Sequence, residues 1–202
     1  RITALLAALA LLAVGAVTAV PAAAGGAIDT SFLAANGTGA TRAGGASGSV
    51  VVTAEQPDGK VLVGGLFEFW DSVPVGRLVR LNADGSLDTA FTAANGTGAA
   101  HTVSSIAVQP DGKIRLAGSF RSWNGTTAER ITRLNTDGSL DTTFASNVGA
   151  GANNTASALA LQSDGKIVLG GGFTAFNSVA VPRIVRLNAD GTTDATFSST
   201  LG

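Results

Sequence analysis

The apolar residues of this chain follow two patterns. From Ile2 to Val20 they run for 19 residues without a charge, as a single apolar helix would. Beyond residue 28 they alternate with polar residues in short stretches, the period of strands half-buried on one face. In "KIRLAGSF", residues 113 to 120, Ile114, Leu116 and Phe120 share one face and Arg115 takes the other. Val61, Val63 and Phe67 match them upstream, and Ile167, Leu169 and Phe173 downstream. The preceding "SSIAVQ" alternates in the same way through Ile106 and Val108, and Pro-Asp-Gly joins the two stretches as a tight hairpin. A longer loop leads to "ERITRLN", and "TDG" turns that strand into "SLDTTF". The pattern predicts four short antiparallel strands per unit.

The unit recurs. "QPDGK" at 56 to 60 and 109 to 113 and "QSDGK" at 162 to 166 are 53 residues apart, as are "RLNADGSLDTAF" (80 to 91), "RLNTDGSLDTTF" (133 to 144) and "RLNADGTTDATF" (186 to 197). A further "DTSF" at 29 to 32 precedes its nearest copy by 59, which places six extra residues within "TRAGGASG". Four strands at a period near 50 is the arithmetic of a β-propeller blade. The expected fold is all-β: a partial propeller over 25–202 with complete blades at about 49–91, 102–144 and 155–197, preceded by an apolar helix. Residues 28–32 are expected to be the stray last strand of another blade. Three blades are too few to close a ring, so more blades beyond these residues, or self-association to complete the ring, are expected.

"QPDGKIRLAGSF", a loop, and "RITRLNTDGSLDTTF" together resemble the delta-60 repeat of bacterial exported proteins, over residues 28–197. The resemblance implies a propeller-type fold and an exported setting, and it carries over no catalytic residue. Residues 1–24 agree with export: Arg1, the apolar run, a break at Pro21, and small Ala22 and Ala24 have the layout of a signal peptide. The competing readings are a membrane segment, since about 20 apolar residues span a bilayer, and the assembly helix of a filament subunit. The expected location is secreted or cell-surface, extracellular or periplasmic, with membrane contact only through 1–24 if that segment is retained.

Composition narrows the chemistry. Thirteen basic and 14 acidic residues give a net charge of -1, which offers no electrostatic case for nucleic acid. Without Cys there are no disulfides, thiolate metal sites or thiol nucleophiles. The dodecamer mimics the middle of a calcium loop through Asn82, Asp84, Gly85 and Asp88, but Arg80 and Phe91 stand where the loop needs acids. Asp58, Asp111 and Asp164 are read as hairpin-turn residues, and Asp88, Asp141 and Asp194 as caps or acceptors of backbone hydrogen bonds. Arg80, Arg133 and Arg186 are expected to bond an Asp or a carbonyl, tying strands or neighbouring blades. Nineteen of the 27 charges recur with the repeat, whereas catalytic groups are usually one-off departures from a scaffold.

Trp70, Trp123 and Phe176 recur too, and are read as packing between blades. Were Trp70 and Trp123 to face outward, they would form a row of stacking platforms for sugar rings. His101, the single His, has no repeat partner and no fixed acidic neighbour, so neither base nor metal ligand is expected of it. The sequons at Asn36, Asn95, Asn124 and Asn153 read first as turns. We therefore expect a non-enzymatic exported module without metal or cofactor that scaffolds binding of a protein or polysaccharide. The alternatives are a propeller-type hydrolase or lyase with its site in further blades, or a membrane-anchored or filament subunit.

Overall fold

The computed structural model describes residues 30–35, 37, 39–42 and 48–197. The 1–24 segment, the first two residues of 28–32 and positions 43–47 lie outside them. In chain order, α1 (Thr30–Ala35) and β1 (Ala40–Thr41) lead into a first unit of β2 (Ser49–Glu55), β3 (Val61–Leu66), β4 (Phe69–Trp70), β5 (Val73–Pro74), β6 (Leu78–Leu81) and α2 (Thr89–Asn95). The second unit is β7 (Val103–Val108), β8 (Ile114–Gly118), β9 (Ser122–Trp123), β10 (Thr126–Thr127), β11 (Ile131–Leu134) and α3 (Thr142–Val148). The third is β12 (Ala156–Leu161), β13 (Ile167–Gly171), β14 (Ala175–Phe176), β15 (Val179–Ala180) and β16 (Ile184–Leu187).

Each unit is an antiparallel three-stranded sheet, ordered β2-β3-β6, β7-β8-β11 and β12-β13-β16, with a hairpin inside the long loop that β1 extends to three strands in the first unit. The first strands lie side by side, β7 packing against both β2 and β12, so they form the inner wall of the stack. Gln56 N–H donates to the Lys60 carbonyl (2.8 Å) and Gly59 N–H to the Gln56 carbonyl (2.9 Å), closing the inner hairpin around Gly59 at φ +79°. Strand register locates the insertion: Ala40 opposes Trp70 as Ala99 opposes Trp123, whereas Val50 opposes Gly65 as Val103 opposes Gly118. The offset changes between Ala40 and Val50, where the sequence placed it.

Two expectations are corrected. In the first two units the fourth strand is a helix, and in the third it is a turn: "SLDTTF" makes a single bridge, Leu134 to Leu140, after which Asp141 caps α3 by accepting the Phe144 N–H. Asp88 caps α2 through the Phe91 N–H in the same way, and Gly96 and Gly149 end the two helices. The stray segment at 28–32 is accordingly, from Thr30 on, the start of α1 rather than a strand. The second correction concerns the middle strand, which is buried on both faces in the first two units and half-buried only in the third. Arg115 has 0% exposure, as has its counterpart Leu62, because a blade's central strand is covered on both faces.

The units pack through apolar seams. Leu62, Leu78 and Phe91 of the first unit meet Val103, Ile114, Leu116 and Phe120 of the second. Ile131 and Phe144 meet Ile167, Leu169 and Phe173 of the third. The Phe that follows each cap also seats on the Asp-Gly turn of the next unit. A Cβ on Gly138 would stand 2.8 Å from the Phe91 ring, so only glycine admits this approach. Among the described residues, no helix is long and apolar enough to cross a membrane.

Candidate functional site

The charged residues that recur with the repeat form one cluster per unit. The Asp88 carboxylate accepts Lys60 Nζ (2.7 Å) and Arg80 Nε (2.9 Å) on one oxygen and caps α2 with the other. Lys113, Arg133 and Asp141 repeat the arrangement, and Lys166, Arg186 and Asp194 keep both ion pairs. Burial alone would raise these carboxyls. The bond from Lys60, the Phe91 amide and Arg80 overcome it and hold Asp88 at about 2, and Lys113, the Phe144 amide and Arg133 hold Asp141 at about 2. The Thr196 hydroxyl first, then Lys166, keeps Asp194 below the usual range.

Both expected roles of the arginines are met at once. Each pairs with the Asp of its own unit, and Arg80 and Arg133 also donate from Nη1 to a carbonyl of the next, Thr136 (2.7 Å) and Ala189 (3.0 Å). Asp58, Asp111 and Asp164 accept the N–H of the residue two positions on, as turn residues should. The role of the recurrent lysines in these clusters was not read from the sequence.

Trp123 is fully buried and Trp70 nearly so, each edge-on to a Phe at ring distances of 5.7 and 5.8 Å. The packing role therefore applies, and the outward row of sugar-stacking platforms does not form. His101 Nδ1 accepts the Thr102 N–H (2.9 Å) and lies 2.6 Å from the Ser119 hydroxyl oxygen. Asn154, one repeat on, accepts the Thr155 N–H with its side chain, so His101 fills the same capping position. Asn124 Oδ1 accepts Gly98 N–H (2.7 Å) across a seam, and Asn95 is buried with Nδ2 bonded to the Val75 and Leu78 carbonyls. Among the described residues no group of three His, Cys, Asp or Glu is arranged to hold a metal.

The residues left over from scaffolding converge at one end of the inner wall. The turns after β2, β7 and β12 frame a cavity of 930 Å³ lined by Glu55, Gln56, Pro57, Val108, Gln109, Pro110, Leu161, Gln162, Ser163 and Gly165. Gln56 is only 7% exposed, and the buried Oε1 atoms of Gln56 and Gln109 have no hydrogen-bond partner among the described residues. Buried polar atoms are normally paired, so these two orphaned acceptors stand out, although neither oxygen is open to the cavity itself. The sequence did hold a signal for this site, the Gln that precedes each turn. It was absorbed into the turn motif.

Three units of twisted antiparallel sheet stacked around an inner wall define a β-propeller-type repeat protein. The chain belongs to the family described as "Domain of unknown function (DUF5122) beta-propeller", whose model matches residues 56–91, 109–144 and 162–197. No curated protein matches the chain. Among solved structures, it is similar to a protein of unknown function from Bacteroides caccae at 16% identity and a TM-score of 0.40, over 70% of this chain and 46% of that one.

Proposed function

We propose that the protein is an exported, non-enzymatic binding module that engages a protein or polysaccharide at the end of its inner wall. The observation that carries this reading is the cavity, which draws equivalent turn residues from all three units while the recurrent charges serve the frame. The layout of residues 1–24 and the resemblance to the delta-60 repeat of exported proteins support export. Self-association belongs to the same reading: Val168, Ile184 and Phe197 on the third unit are half-buried where Leu62, Leu78 and Phe91 are buried.

Two measurements test the proposal. Fractionation of a bacterium expressing the chain should place it outside the cytoplasm, and retention there sinks the export claim. Purified protein should bind members of a panel of surface proteins and polysaccharides saturably, leaving them chemically unchanged. Turnover of any of them overturns the non-enzymatic claim.

A further inference from the structure

The hairpin inside the long loop of each unit turns on two residues: Asp71 and Ser72, Asn124 and Gly125, Asn177 and Ser178. The first of each pair has a φ of +46° to +50° and donates its N–H to a glycine carbonyl, Gly39, Gly98 or Gly151, at 2.9 to 3.0 Å. Only the second unit puts glycine after asparagine at this turn. Such a pair is reactive by constitution. The glycine nitrogen can add to the preceding carboxamide carbon, because no Cβ resists the rotation that brings the two together.

The structure exposes this pair and prepares its carboxamide. Asn124 and Gly125 are both exposed, and nothing lies within 4 Å of where a Gly125 Cβ would stand. Asn124 Oδ1 accepts the Gly98 N–H (2.7 Å) and the Thr97 hydroxyl (3.0 Å), two donors on the oxygen that gains charge as a nucleophile adds to Cγ. Neither Asn124 Nδ2, the leaving nitrogen, nor the Gly125 N–H, the nucleophile, has a hydrogen-bond partner among the described residues. The pair Asn95 and Gly96 is the reverse. Asn95 is fully buried, the Val75 and Leu78 carbonyls hold its Nδ2 at 3.3 and 3.4 Å, and the Gly96 N–H is committed to the Thr92 carbonyl at 3.1 Å.

We propose that Asn124 is a site of self-modification, where the folded protein forms a succinimide and then aspartate and isoaspartate. The Gly125 nitrogen bonds to Asn124 Cγ as its proton passes to water, the Cγ–Nδ2 bond breaks, and ammonia leaves. Water then opens the ring, at Cγ to give aspartate or at the Asn124 main-chain carbonyl to give isoaspartate. No oxidant or reductant is involved. The fold accepts the aspartate, since Asp71 holds this position in the first unit with the same backbone bond to Gly39. Isoaspartate lengthens the main chain by a methylene between Trp123 and Thr126, which face each other across the hairpin. Either product adds a negative charge where the second unit meets the loop of the first.

The test incubates the full folded chain in mildly alkaline buffer. Peptide mapping locates the gain of one mass unit, and an isoaspartyl carboxyl methyltransferase detects the isoaspartyl bond. Asn124 should convert at least about tenfold faster than Asn95. Asn177, followed by Ser178 and with Nδ2 bonded to the Thr193 hydroxyl, should stay intact. In urea the pairs at 95 and 124 should convert at similar rates, which assigns the difference to the fold. Gly125→Ser, which copies the third unit's turn, should stop conversion at 124, and Thr97→Val should slow it several-fold by removing a donor from Oδ1. Survival of Asn124 in the folded chain while it converts in urea overturns the proposal. So does equal conversion of Asn95 in the folded chain, or a Thr97→Val variant that converts as fast as its parent.

Discussion

Arg115 is the residue at which the repeat departs most from its own pattern, and replacing it should stabilise the protein. Its counterparts are Leu62 and Val168, yet Arg115 is wholly buried, with Nε and Nη1 unpartnered among the described residues. Burial first, then the nearby Arg133 charge, pushes its guanidinium down to about 10. The charges of Asp111, Asp141 and Asp190 favour it, and so do two contacts: Nη2 donates to the Ala189 carbonyl (2.7 Å), and the guanidinium lies 4.4 Å from the centre of the Phe144 ring. The two contacts contribute about 1 kcal/mol each. Against them stand two unpaired buried donors at about 1–3 kcal/mol each, and the repulsion of Arg133.

In Arg115→Leu the donors and the repulsion go, and Arg133 still serves the Ala189 carbonyl at 3.0 Å. Leu regains about 2 kcal/mol of apolar burial and loses about 1 kcal/mol to the void left by a shorter side chain. The expected net gain is about 2 kcal/mol, or a Tm rise of roughly 4–8 °C for a chain of this size. Urea unfolding followed by the fluorescence of the buried Trp123 reads it directly, with the midpoint rising at unchanged slope. Arg115→Ala, which leaves the void unfilled, should fall about 3 kcal/mol below Arg115→Leu. A lower midpoint for Arg115→Leu would refute the reasoning and make Arg115 a clamp across the second seam.

Other substitutions probe the frame. Gly138→Ala forces a Cβ to within 2.8 Å of the Phe91 ring at φ +98° and should cost roughly 3 kcal/mol. Gly125→Ala, at φ +74° with nothing within 4 Å, should cost about 1 kcal/mol, and equal losses would show that the seam contact is unimportant. Asp141→Asn strands Lys113 and Arg133 and should cost about 3 kcal/mol by chemical denaturation. Because Asp88 and Asp141 titrate at about 2 when folded and Asp194 also lies low, unfolding takes up protons in acid. Stability should be level from pH 7 to 5, fall as pH drops through the ordinary carboxylate value of about 3.9, and still be falling at pH 2, where Asp88 and Asp141 are only half protonated in the folded state. Urea midpoints at intervals across that range check this, and a flat profile would deny the clusters their role.

The repeat made the architecture legible because each unit confirmed the others: the 53-residue spacing, the Asp-Gly turns and the insertion before Val50 all appear in the fold where the sequence placed them. The alternating pattern misled at two points. Read past the Asp-Gly turn, it turned "SLDTTF" into a strand, although an Asp followed by a helix-compatible run and a Gly at 149 is a start-and-stop signal for a short helix. Burial of the middle strand was not legible either, since Arg115 looks solvent-facing to any rule that scores residues singly. Only stacking of the next unit onto that face decides its environment, and this is a non-local fact.

The repeat also supplies an internal standard for function. A residue shared by all three units answers a demand of the frame, as the Lys–Arg–Asp clusters do. A one-off residue invites a functional reading, yet His101 shows that a departure can be structural, because it caps the backbone where Asn154 does so one unit later. The Gln residues at the inner turns show the converse. They recur in every unit, but the frame does not use the Oε1 of Gln56 or Gln109. Recurrence alone therefore separates neither class. Unmet hydrogen-bonding capacity does not separate them either, because Nε1 of the packing residues Trp70 and Trp123 and Nε of Arg77 and Arg130 recur with the frame and are equally unpartnered among the described residues.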